Sequence, residues 1–217
     1  LILSWVAEGY AAAGEAPAAA EAPAILDLVS GRDGEAAIAA AADAFLAADE
    51  VVVALPLYTD QAPGVVMRLF DLLGAAAAGG PAAGRLAGKR VGFIIHCGFP
   101  EACQLDGLRD YLARLSDRLG FAGLGVAVKA GSEGFRMTGE PILRKIRADF
   151  VALGAAAGSG GVFPPEVLAR LEGLRRFGFV GRVLLRLMAA SGAGNFYWNM
   201  MLRKHGAWEK RFDAPYA

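Results

Sequence analysis

The stretch EVVVALPLYTDQAPGVVMRLFDLL, Glu50–Leu73, decides the fold. Val51–Leu55 is apolar on both faces, as expected for a central strand of a parallel sheet. Pro56 stops that strand, because proline offers no N–H to a ladder. A polar loop follows, and then Val66, Leu69, Phe70 and Leu73 recur on one side of a helix over Val65–Leu73. Strand, turn and helix are the repeating unit of an open α/β sheet, where ligands sit at the carboxyl ends of the strands. Pro56, Leu57, Tyr58, Thr59 and Asp60 occupy such a turn. Its backbone amides can meet a ligand edge, Tyr58 can pack on a ring, and Thr59 or Asp60 can shape the rim. That combination suits a flat, polar-edged aromatic ligand. An ordinary strand-to-helix connection has the same appearance in sequence.

Outward from this unit, strands and helices alternate. Leu1–Ala13 has helical spacing, with Gly14 as a stop; Ala24–Val29 (AILDLV) reads as a short strand and Glu35–Ala48 as an alanine-rich helix. Gly74–Gly88 reads as a small-residue loop. Arg90–Ile95 is a second buried strand. Ala102–Leu119 is a helix turning Leu105, Leu108, Leu112 and Leu115 to the sheet and Arg109, Asp110, Arg114, Asp117 and Arg118 to water. Leu124–Val128 is a strand and Pro141–Leu153 a helix. Such alternation implies an α/β, doubly wound parallel sheet with helices on both faces. In a five-stranded order 2-1-3-4-5 the first strand is central. A chain that opens on a helix therefore implies a missing first strand, a different topology, or a strand supplied by a partner.

From Gly158 the texture changes. GSGGVFPPEV reads as a linker with a helix start at Pro164-Pro165. Glu166–Phe177, Val180–Ala190 and Asn195–His205 read as three further helices, and the tail WEKRFDAPYA as aromatic and ending extended. The expected organisation is a sheet domain over residues 1–157 and a helical extension over residues 158–217. The basic, apolar Val180–Ala190 helix is read as packing on its own domain or a sister subunit in preference to a membrane surface.

Composition excludes several classes. The 217 residues carry 22 basic and 22 acidic side chains, so no net charge draws the chain to nucleic acid. Hydrophobic residues reach 55%, and the mean hydropathy is +0.40, yet no run approaches the ~18 apolar residues of a membrane span. No secretory leader is visible, and two cysteines make no disulfide framework, so a cytoplasmic setting is the default reading. Cys97 and Cys103 with one nearby histidine fall short of a zinc site or an iron–sulfur cluster, and no metal is expected. No G-x-S-x-G elbow, P-loop or G-x-G-x-x-G motif follows a strand.

A second turn, His96-Cys97-Gly98-Phe99-Pro100-Glu101, follows the next strand. Gly98 permits close backbone approach, and Phe99 and Pro100 can wall a planar ligand. Two such turns on adjacent strands converge at one sheet edge. His96 reads as a structural residue at the strand end, with proton donation to a ligand as the alternative. The loop Gly131–Phe135 reads as plain, although its position allows it to close a third side of the same pocket.

Taken together, these residues resemble the flavodoxin-like NAD(P)H-dependent FMN reductase and quinone reductase family. The resemblance rests on VVVALPLYTDQAPGVVMRLFDLL and VGFIIHCGFPE, and on the ending NFYWNMMLRKHGAWEKRFDAPY, similar to the tail of some clostridial-type members. It covers most of residues 1–155 by topology and is specific in the two turns and the tail. It implies a flavodoxin-like fold with FMN across both turns: Pro56, Leu57, Tyr58, Thr59 and Asp60 on one side of the isoalloxazine, Cys97, Gly98, Phe99 and Pro100 on the other. It further implies hydride transfer from NAD(P)H through flavin to a quinone, a nitro compound or a similar small acceptor, in a homodimer aided by the carboxyl-terminal helices. The family's Ser/Arg-rich phosphate loop has no counterpart here, and its amides are expected just before Leu1. The three-cysteine cluster of the iron–sulfur members is also absent. The alternative function is a flavodoxin-like electron carrier, or a cofactor-free binding module without turnover.

Overall fold

The computed structural model describes residues 1–13, 23–28, 34–79, 84–136 and 138–213. They divide into two compact units, Leu1–Arg175 and Arg176–Ala217.

In the first unit, three parallel strands form the sheet in the order β1-β2-β3: β1 Glu50–Pro56, β2 Arg90–His96 and β3 Ala122–Lys129. The register runs from Glu50 opposite Arg90 to Pro56 opposite His96, and from Arg90 opposite Ala122 to His96 opposite Lys129, with a shift between Val91 and Gly92. One helical layer is α2 Gly34–Ala47, α3 Gly64–Ala77 and α4 Asp106–Leu119; the other is α1 Ile2–Ala13, α5 Glu140–Gly158 and α6 Pro165–Glu172. The fold is therefore α/β, with helices on both sheet faces as the alternation demanded.

Each layer has its own apolar core. Val66, Leu69, Phe70 and Leu73 of α3 and Leu108 and Leu112 of α4 are buried against Val91, Phe93 and Ile95 of β2. Trp5, Phe150, Leu153 and Phe163 meet Ile94, Leu124 and Ala127 on the opposite face. Fully burying a Leu- or Phe-sized side chain contributes about 1.5–3 kcal/mol, so these two layers supply the main driving force. α1 and α5 approach until glycine alone fits: a Cβ on Gly9 would lie 1.9 Å from the Val151 carbonyl oxygen, and one on Gly154 1.9 Å from that of Val6. The Lys89 ammonium donates to the Leu46 and Ala48 carbonyls at the end of α2, where a cation complements the unpaired carbonyls and the helix dipole.

Four sequence expectations change. Pro23–Leu28, the described part of the Ala24–Val29 strand and its approach, is not a strand; Ile25 and Leu26 are exposed, and no described strand gives them a ladder. Val29 and the Gly14 stop lie outside the described residues. Among the described residues β1 is paired on one side only, so it is an edge strand and β2 is the central one. The small-residue segment Gly74–Gly88 is in part helix, since α3 runs on to Ala77, and Leu86 is buried. The GSGGVFPPEV stretch is no free linker. The Phe163 N–H donates to the Leu124 carbonyl at 2.7 Å, and its ring lies where a Cβ on Gly92 would come within 2.6 Å. In the second unit, α7 Phe179–Ala190 and α8 Phe196–Lys204 are helices, residues 208–212 form a bend and turns, and the end of the tail, expected to be extended, lies outside the described residues.

Candidate functional site

The carboxyl ends of all three strands open on one edge of the sheet. The β1 turn is held by three hydrogen bonds. The Leu57 N–H donates to the His96 carbonyl at 2.7 Å, and Tyr58 and Gln61 exchange N–H···O bonds of 2.9 and 3.1 Å. Between them Thr59 (φ 49°) and Asp60 (φ 62°) are both left-handed, the pattern of a type I′ turn usually filled by Asn and Gly. A β-branched residue there is strained, and such strain collects at ligand clamps and active sites. Among the described residues the Thr59 and Asp60 N–H groups have no backbone acceptor, and Tyr58 is 70% exposed.

The β2 turn is braced from β3. The Cys97 N–H donates to the Lys129 carbonyl at 3.2 Å, and the Cys97 carbonyl accepts from both the Ser132 N–H (2.9 Å) and the Ser132 hydroxyl (3.0 Å). The Cys97 thiol is buried in the core, donates to the Phe99 carbonyl at 3.6 Å, and is raised in pKa by that burial. Cys97 thus holds the turn, and no polar group of it is left for a ligand. The Gly131 N–H donates to the Phe99 carbonyl at 2.7 Å. Among the described residues the Gly98 and Phe99 N–H groups have no backbone acceptor, Phe99 is 54% exposed, and Gly98 and Pro100 are exposed beside it.

Two turns thus present four N–H groups that have no backbone acceptor among the described residues, and two exposed aromatic rings, at one sheet edge. The Leu57 and Tyr58 amides do not join them, because the His96 carbonyl of the neighbouring strand and the Gln61 carbonyl of the turn engage them. Pro56 and Asp60 stay exposed on the rim.

His96 ends β2, and its Nδ1 lies 2.9 Å from the Ser132 hydroxyl. That hydroxyl also lies 3.0 Å from the Cys97 carbonyl, so Ser132 links the His96 ring to the second turn. Burial holds the His96 pKa below its ordinary value. The structural reading of His96 therefore has a partner that sequence reasoning missed. Ser132 lay in a loop read as plain; its signal was the position, directly after a strand and beside the second turn. Lys129 at the end of β3 was also missed, and burial lowers its pKa against the opposing pull of Asp149.

The first helix reaches this edge as well. Gly154 packs at Val6 and Gly158 at Tyr10, so α1 and α5 run parallel. The Trp5 ring lies 6.4 Å from that of Phe135 in the loop after β3. The amino-terminal turn of α1, with its unpaired N–H donors, therefore stands at the ligand edge.

Comparison with known proteins agrees with this architecture. The family profile described as flavodoxin-like fold matches residues 10–148, more than half of the chain. The chain belongs to the flavodoxin-like fold family. No curated protein matches it. Among solved structures it is similar to an NADPH-quinone reductase from P. pentosaceus (14% identity, TM-score 0.41, 52% of this chain and 71% of that one). It is also similar to a WrbA-like flavodoxin from Agrobacterium tumefaciens (15%, TM-score 0.40, 78% and 88%) and to the azoreductase AzrA (18%, TM-score 0.35, 72% and 74%).

Proposed function

We propose that this flavodoxin-like chain is an FMN-dependent oxidoreductase that takes hydride from NAD(P)H and passes it to a quinone, a nitro compound or a similar small acceptor. The observation that carries this reading is the pair of turns whose N–H groups at Thr59, Asp60, Gly98 and Phe99 have no backbone acceptor among the described residues, with exposed rings at Tyr58 and Phe99. Those groups fit an isoalloxazine, which has a flat apolar body and hydrogen-bond acceptors along one edge. FMN, when bound, supplies the hydride chemistry, and the protein orients it and tunes it by hydrogen bonds.

In this reading Tyr58 and Phe99 wall the ring, and the four amides fix its polar edge. The β3 loop keeps the second turn rigid through Ser132. The amino-terminal turn of α1 lies on the side where a phosphate would profit from helix N–H donors. We further propose a cytoplasmic homodimer, in keeping with the resemblance to dimeric reductases; light scattering on the purified protein tests the assembly.

The function is tested by following NADH and NADPH oxidation with added FMN and a soluble quinone. Turnover that falls at least about tenfold in Tyr58→Ala and Phe99→Ala supports the assignment. FMN binding without turnover would replace it with an electron carrier. No binding and no turnover would leave a flavodoxin-like module put to non-redox use.

A further inference from the structure

The second unit carries a surface that the flavin reading does not use. Val180, Val183, Leu184 and Leu187 recur at i, i+3, i+4 and i+7 along α7, the spacing of one apolar helix face. Such a face is normally covered. Here α7 has no buried residue, and Val180 is 78% and Leu187 61% exposed. Arg182 and Arg186 stand one turn apart on another face. Beyond α7, Trp198 is exposed, and Trp208 lies between the Arg203 and Arg211 guanidinium groups at 4.1 and 4.0 Å.

Charge selects the occupant. The whole chain is neutral, yet residues 176–217 hold seven Lys and Arg against Glu209 and Asp213. A basic, tryptophan-bearing unit with a bare amphipathic helix matches an anionic lipid surface. Apolar side chains enter the acyl boundary, arginines stay among the phosphates, and tryptophans sit at the headgroup level. α7 has 12 residues, about 18 Å of helix, and no described helix is long and apolar enough to cross a membrane. The helix would lie in the plane of the surface.

We propose that α7, aided by the basic aromatic segment after it, docks this protein on bilayer surfaces rich in anionic phospholipid. The full chain is mixed with vesicles of phosphatidylcholine, and with vesicles of phosphatidylcholine and phosphatidylglycerol in equal parts, and sedimented. Binding to the anionic vesicles is expected, weaker on phosphatidylcholine alone and reversed by high salt. Each basic residue near such a surface contributes about 1 kcal/mol, so Arg182→Glu with Arg186→Glu should lower partitioning at least about tenfold. Leu184→Gln with Leu187→Gln should do the same without altering the charge. All four residues are surface positions, and unchanged far-ultraviolet circular dichroism checks folding. The proposal is overturned by a chain that stays in the supernatant with anionic vesicles, or by binding that neither variant pair weakens. It is equally overturned if the leucine variants convert a dimer to a monomer while vesicle binding is absent, which would make the face a contact between copies.

Discussion

Thr59 offers the sharpest test of how the β1 turn is built. It is a β-branched residue held at φ 49°, next to Asp60 at φ 62°. An L-residue with a Cβ in the left-handed region costs roughly 1–2 kcal/mol, and glycine escapes that cost. Glycine also adds about 0.5–1 kcal/mol of backbone freedom to the unfolded chain. Thr59→Gly should therefore stabilise the protein by about 0.5–1 kcal/mol, from the difference of those two terms. Thr59→Ala keeps a Cβ and the strain, so it should show no such gain. Asp60→Gly should gain less than Thr59→Gly, because Asp tolerates this conformation by local hydrogen bonding. Urea unfolding at neutral pH, with equal slopes for all variants, reads these differences directly. On the flavin reading, a loosened turn must be ordered on binding, so Thr59→Gly should also weaken FMN by about threefold to tenfold. Loss of stability in Thr59→Gly, or equal gains from Gly and Ala, would refute a strained turn.

Gly154→Ala should destabilise the first unit by more than about 3 kcal/mol in the same unfolding assay, because its methyl would sit 1.9 Å from the Val6 carbonyl oxygen and helices α1 and α5 would have to part. Gly92→Ala should cost about 1–3 kcal/mol by pressing on the Phe163 ring, and Phe163→Leu in the Gly92→Ala background should restore part of that loss; additive effects in the double variant would contradict the contact. His96 has a folded pKa depressed by burial, so its neutral form contributes stability that is present above the unfolded pKa of about 6.5 and lost as pH falls through the folded value. The slope on the acid side reaches at most about 1.4 kcal/mol per pH unit. His96→Gln should flatten it, and with two histidines in the chain, proton resonance spectra resolve which one titrates low.

The layered α/β plan was legible because its signals are local. Val66, Leu69, Phe70 and Leu73 mark one helix face, Leu105, Leu108 and Leu112 another, and both sets are buried as their spacing implied. The two strand-end turns were equally plain, since Pro56 and Gly98 punctuate apolar runs. What escaped depends on partners distant in sequence. Ala24–Leu28 has strand composition, but no described strand lies beside it to supply hydrogen bonds. Phe163 sits among glycines and prolines, the texture of a linker; its burial comes from a hollow made by Gly92 and Gly125 on two strands. Within the site, Cys97 was placed against the ligand by the family resemblance. The bonds that withdraw it come from Lys129 and Ser132, more than thirty residues on. Likewise the Leu57 amide is taken by the His96 carbonyl of the neighbouring strand, a pairing that only the register fixes.

The central claim is that the two turns hold a flavin, and the most direct measurement is the visible absorption spectrum of the protein after incubation with FMN and gel filtration. The account predicts that bands near ~370 and ~450 nm, the signature of an oxidised flavin cofactor, travel with the protein and are lost or weakened in Tyr58→Ala and Phe99→Ala. Protein that emerges colourless from the column, or that retains FMN equally well without either ring, would contradict it.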